Sequence, residues 1–214
     1  MRKIFLLVTI LLLGGSAFAQ EQKEKGYFFL SKLSYSLGMG AIDETIPGDI
    51  SNNLYKRDVT LEAWDKTSIS IINGYKFNKY FSLGIGVSYM VATPPNSVNR
   101  STNDIYDYGT DIDAIPVFLY GKCNLTKTKV KPYIALSVGC VLPLNESLDE
   151  NGGKYKMSGN FFEPELGVLF PIADKYAISL GLGYHTSWIS YKVNDNFEYL
   201  TPSGALSLNV GFSF

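Results

Sequence analysis

Residues able to do chemistry are sparse. The single histidine, His185, is followed two positions later by Ser187, with Glu198 downstream; a base, a nucleophile and an orienting carboxylate are the parts of an acyl-transfer site. Asp104, Asp107, Asp111 and Asp113 offer the hard oxygens a divalent cation takes. Their spacing matches no known cation loop, so a solvated acidic face is the simpler reading. Lys32, Glu163 and Glu165 are charges inside otherwise alternating segments. Cys123 and Cys140 stand too far apart, and His185 too isolated, for a zinc site. The glycines alternate within apolar segments instead of forming a phosphate-cradling loop. No cofactor is implied.

These residues must be positioned by strands, because period-two alternation dominates the chain after residue 26. It is clearest over 81–92, where Phe81, Leu83, Ile85, Val87, Tyr89 and Val91 oppose Ser82, Gly84, Gly86, Ser88, Met90 and Ala92. Residues 176–185 and the terminal stretch Leu206, Leu208, Val210, Phe212 and Phe214 repeat it. Weaker versions cover 27–40, 67–77, 112–125, 130–142 and 161–170, which makes eight strands. Pro116 and Pro164 interrupt two of them and predict a bulge or a strand end. Short connections at 78–80, 126–129 and 171–175 alternate with long ones at about 41–66, 93–111, 143–160 and 187–204. That pattern predicts an all-β fold, an eight-stranded antiparallel up-and-down barrel with tight turns at one mouth and long loops at the other. A hairpin turning at Thr126–Lys129 would set Cys123 against Pro132 and Cys140 against Ile115. The sulfurs would then be about 26 Å apart, far beyond a disulfide's reach, which predicts two free, buried thiols.

Composition narrows the class. The 214 residues are 18% charged and 14% aromatic with a formal charge of −1, which excludes disorder and argues against nucleic acid as a partner. Residues 1–19 carry Arg2 and Lys3, an apolar run from Ile4 to Leu13 and the Ala17-Phe18-Ala19 pattern of a cleaved export signal, leaving 20–214 as the barrel domain. A lipocalin-like secreted binder of small ligands would turn the apolar faces inward; a transmembrane barrel turns them to lipid. The opposite faces are mostly Gly, Ser, Ala and Asn, which suit a crowded lumen better than a solvated surface. Aromatic residues gather near strand ends, Tyr75, Phe77, Phe81, Phe170, Tyr176 and Phe212 toward the short turns and Tyr35, Tyr89 and Tyr184 toward the long loops, as two interfacial girdles would. Acidic residues concentrate in the long loops and lysines near the short turns, which sets the short turns in the periplasm and the loops outside.

The terminal strand, Leu206-x-Leu208-x-Val210-x-Phe212-x-Phe214, resembles the insertion signal read by the barrel assembly machinery of Gram-negative bacteria. The stretch of about 195 residues after the leader resembles eight-stranded outer-membrane barrels of the OmpX and OmpA N-terminal type. Ile115-Pro116-Val117, Lys131-Pro132-Tyr133 and Phe161-Phe162-Glu163-Pro164-Glu165-Leu166-Gly167 are most similar to the PorT-like barrels of Bacteroidetes. The resemblance implies the cell outer membrane as location and its lipid and lipopolysaccharide as surroundings. It assigns no activity. Lys32, Glu163 and Glu165 alternate onto the inner face, where they are expected to pair across the lumen and plug it; a charged ring lining an ion path is the alternative. His185-x-Ser187 with Glu198 is faintly similar to lipid A 3-O-deacylases, but Trp188-Ile189-Ser190 departs from that pattern and alternation turns His185 and Ser187 inward. The expected function is structural or binding, by adhesion or docking of an envelope partner, rather than transport or catalysis.

Overall fold

The computed structural model describes residues 25–39, 42–45, 58–61, 64–93, 97–98, 105–106, 111–126, 130–148, 154–173, 175–193 and 197–214. The export signal at 1–19 and the aspartates Asp104 and Asp107 lie outside them. Eight strands form one closed antiparallel sheet: β1 Gly26–Gly38, β2 Asp65–Lys76, β3 Phe81–Thr93, β4 Ile112–Asn124, β5 Lys131–Pro143, β6 Lys154–Pro171, β7 Ala177–Val193 and β8 Phe197–Ser213. Each pairs with its neighbours in sequence, and β8 returns to β1 with Leu30 against Ser213 and Gly38 against Ala205. Reciprocal backbone hydrogen bonds between Phe29 and Phe214, at 2.9 and 3.0 Å, finish the closure. No strand edge along the barrel wall is left for lipid to face, the condition for sheet to cross a bilayer.

Register gives the tilt. Following the ladder from Ser34 through Ser68, Met90 and Ala114 arrives at Pro143. Going the other way through Asn209, Gly181 and Gly167 arrives at Tyr133, so the sheet closes with a stagger of ten residues, 143 against 133. With a rise of about 3.3 Å per residue and strands about 4.8 Å apart, this inclines the strands roughly 40° to the axis. The outward rings of Phe81 and Tyr89 are then about 20 Å apart along the axis, close to the ~25 Å belt of a lipid-embedded barrel.

Sidedness follows the alternation. Leu83, Ile85, Leu180 and Leu208 point outward and are 44%, 64%, 45% and 54% exposed, whereas Ser82, Ser88, Ser179 and Asn209 are buried inside. The aromatic girdle at the short-turn end is continuous over two arcs: Tyr27, Tyr75, Phe77 and Phe81 in successive ring contacts at 5.3–5.9 Å, and Tyr176 stacked on Phe212 at 5.7 Å. The outward face is apolar because its solvent is acyl chain.

Four expectations change. First, β6, β7 and β8 run well past the sequence boundaries of 161–170, 176–185 and 206–214, and the expected long connection at 187–204 is a paired hairpin reaching Val193 opposite Phe197. Above the lipid belt the outward positions no longer need to be apolar, so the alternation that marks a strand fades. Second, Cys123 and Cys140 are free but exposed on the outer face. The hairpin register is shifted by two from the expected one, setting Cys123 against Ile134 and Cys140 against Val117. Third, Pro116 lies inside β4 where the ladder to β3 lapses between Val87–Val117 and Met90–Ala114 without a register change. Pro164 lies inside β6, and the bulge falls below position 162, at Gly159, whose φ of +96° is open to glycine and strained for other residues. Fourth, the lumen is not merely small and polar. Phe28, Leu30, Ile72, Phe118, Tyr120, Tyr133 and Phe161 are buried within it, since an eight-stranded interior is only wide enough to be filled by side chains.

Candidate functional site

The lumen is filled by one buried apolar cluster. Toward the long-loop end the inward positions of β3, β4, β6 and β7 contribute Met90, Ile112, Met157 and Ile189, with Trp64. Phe28, Leu30, Ile72, Phe118, Tyr120 and Tyr133 continue it through the middle of the wall to the short-turn end. A group of charges is set within it.

Lys32 on β1 and the pair Glu163 and Glu165 on β6 come from strands that are not neighbours in the barrel wall, so their contact crosses the lumen. The ammonium of Lys32 lies 3.2 Å from Glu163 Oε1 and 3.2 Å from Glu165 Oε2, with all three side chains buried. The i, i+2 spacing of the glutamates puts both carboxylates on the same face of β6, either side of one cation. Further donors complete the clamp. Asn209 Nδ2 donates to Glu163 Oε1 at 3.0 Å and to Glu165 Oε2 at 2.9 Å, Ser207 donates to Glu163 at 3.3 Å, and the Tyr133 hydroxyl donates to Glu165. His185 Nδ1 stands 3.8 Å from Glu163 Oε2. Gly181 opposite leaves the room, for a Cβ there would collide with the Glu165 side chain. Two carboxylates buried beside one ammonium are tolerable only because their oxygens are hydrogen-bonded this fully.

Two lumenal lysines escaped the sequence reading. Lys66, at the start of β2, donates to Ser187 Oγ at 3.0 Å and to the Ser203 carbonyl at 3.3 Å. Lys122, near the end of β4, lies over the Phe28 and Tyr133 rings at 6.0 and 5.6 Å. Parity along β4 placed Lys122 with inward Phe118 and Tyr120, but those large residues had not been expected inside. Lys66 falls at the very end of the expected 41–66 connection, where the alternation has not yet begun.

The other sequence candidates are not brought together. Ser187 is engaged by Lys66, and His185 is turned to Glu163; both are sealed inside, at 1% and 4% exposure. Glu198 lies in the β7–β8 hairpin opposite Lys192 in register. Asp111 and Asp113 are drawn together by Asn145, whose Oδ1 accepts from the Asp113 amide at 2.6 Å and whose Nδ2 donates to the Asp111 carbonyl at 3.3 Å. Among the described residues no group of three or more His, Cys, Asp or Glu could hold a metal ion. Leu206, Leu208, Val210 and Phe212 of the terminal strand face outward.

Comparison with known proteins supports the architecture. Solved structures of similar fold include the outer membrane protein AlkL, with 11% identity over 92% of both chains and a TM-score of 0.55. OprG from Pseudomonas aeruginosa matches at 12% identity over 91% of this chain and 98% of that one, TM-score 0.54. Neisserial surface protein A matches at 14% over 89% and 98%, TM-score 0.52. Identities this low establish fold alone. Among curated proteins none matches the sequence. The model of the outer membrane protein beta-barrel domain matches residues 5–214, nearly the whole chain. With a closed eight-stranded wall, an apolar exterior and a filled lumen already in view, this chain belongs to the outer membrane protein beta-barrel domain family, whose location is the outer membrane.

Proposed function

We propose that the protein is a closed, non-catalytic outer-membrane barrel that works through the surface it presents above the lipid, as an adhesive or partner-docking element, rather than by transport through its lumen. The observation carrying this reading is the filled interior: a hydrogen-bonded charge clamp set within a buried apolar cluster. The strands β6, β7 and β8, at 17–18 residues, stand above the 12–13 residues of β1–β5 and carry the wall farther on the long-loop side. The acidic loops face outside and the short turns the periplasm. Residues 1–19 serve export, the terminal strand is read by the barrel assembly machinery, lipopolysaccharide surrounds the outer end, and the segments around Pro116, Pro132 and Pro164 place the chain with the PorT-like barrels of Bacteroidetes.

Planar-bilayer recording on the purified barrel tests this. Conductance close to background is expected, because side chains fill an eight-stranded interior of this kind. Stable ohmic steps would contradict it. The rival reading, a lipid A deacylase using His185 and Ser187, asks for a lipid-facing site, and both residues face the lumen. A lipid A profile altered by His185→Ala would favour that rival.

A further inference from the structure

The short-turn mouth of the lumen holds three lysines and, among the described residues, no acidic side chain. Lys76 ends β2, Lys122 nearly ends β4 and Lys131 starts β5. All three occupy inward positions. The ladder sets Lys76 beside Ser82 and Ser82 beside Lys122, with the Ser82 hydroxyl buried between them. Lys131 lies two residues before inward Tyr133. Lys76, Ser82 and Lys122 therefore stand side by side on three successive strands with Lys131 on the fourth, all at the short-turn end of the wall.

Lys122 is the informative member. It is 5% exposed, and its partners are the faces of Phe28 and Tyr133. Elsewhere in the lumen a buried cation is given oxygen acceptors: two carboxylates for Lys32, a hydroxyl and a carbonyl for Lys66. Glu165 attracts Lys122 from farther off but is already held by Lys32, Tyr133 and Asn209. Three inward lysines at one mouth, the innermost with two ring faces as its described partners, repel one another unless an anion stands between them.

We infer that this mouth binds a phosphate-bearing solute, held by the ammonium groups of Lys122, Lys76 and Lys131 with the Ser82 hydroxyl as an additional donor. Phosphate suits the set because lysine binds it as a point charge, and its oxygens outnumber the two of a carboxylate. The lysines point into the lumen, so the anion is a dissolved one and not a bilayer headgroup. The site lies at the short-turn mouth whichever compartment that mouth faces; with the orientation proposed above, the solute arrives from the periplasm.

The test is calorimetric titration of inorganic phosphate into the folded barrel in a maltoside detergent at low salt. Saturable binding is expected. Lys122→Met should weaken it about tenfold or more, the scale of losing a charged hydrogen bond, and Lys131→Gln, at the half-buried rim, at least about threefold. Lys79→Gln, in the exposed turn, should leave it unchanged. Heat-modifiable migration confirms that each variant is folded, and the rim variant keeps the test decisive if Lys122→Met does not fold. Absence of saturable binding, or equal binding by wild type and both lumenal variants, overturns the inference. Repeating the titration in nanodiscs with and without phosphatidylglycerol separates the sources: unchanged affinity supports a dissolved ligand, while competition by the anionic lipid overturns it in favour of a headgroup.

Discussion

Lys32→Met is expected to lower the unfolding free energy by about 3–5 kcal/mol, the range for removing one partner of a buried ion pair. The substitution keeps the stem's volume but leaves Glu163 and Glu165 facing each other across a site with no cation between them. Asn209, Ser207 and Tyr133 still donate to their oxygens, yet neutral donors do not cancel two buried negative charges. Urea titration in detergent micelles, followed by tryptophan fluorescence and by heat-modifiable migration, reads the loss. Adding Glu163→Gln to Lys32→Met removes one of the two charges and should recover part of it, because the penalty comes from the uncompensated charge and not from the lost contact. A change below about 0.5 kcal/mol, the size of an ordinary surface substitution, would mean that the clamp is solvated.

Leu180→Arg is expected to cost about 2–4 kcal/mol, as arginine does at the bilayer midplane of a barrel. Leu180 lies outward on β7 midway between Tyr176 and Tyr184, rings of the two girdles. On a water-facing strand the same change at a 45%-exposed leucine would be nearly neutral. Ile172→Arg is the internal control. Ile172 is more exposed, at 59%, but lies past the end of β6 in the short turn, where the expected cost falls to about 0–1 kcal/mol. Refolding equilibria in lipid vesicles compare the two, and equal costs would contradict a lipid belt centred on Leu180.

How far the molecule could be read from its residues depends on which solvent each face meets. Inside the bilayer the two faces of a strand meet opposite environments, so Leu83 against Ser82 or Leu180 against Ser179 announces both strand and direction. Lys32, Glu163 and Glu165 were legible for the same reason, as charges on the inner parity of their strands. Above the belt that contrast reverses. There Met157 and Ile189 turn inward while Thr186 faces out, so the upper halves of β6, β7 and β8 resembled loops. The cysteines were legible and misjudged: Cys123 shares the outward parity of Val117 and Leu119, and Cys140 that of Ile134 and Leu136. The clamp's remaining partners, Tyr133, Asn209 and Ser207, depend on which strands face one another across the lumen, and the closing stagger that decides this is not written in any one segment.

Spin-label accessibility in bilayers decides which face of each strand meets lipid. Single cysteines replacing Leu83, Ile85, Leu180 and Leu208, in a background carrying Cys123→Ser and Cys140→Ser, are labelled and exposed to lipid-soluble oxygen and to a water-soluble nickel chelate. All four labels should collide readily with oxygen and poorly with nickel, while labels at Ser70 and Ser88 are immobile and shielded from oxygen. The reverse pattern, with leucine-site labels shielded and serine-site labels in lipid, would contradict the account.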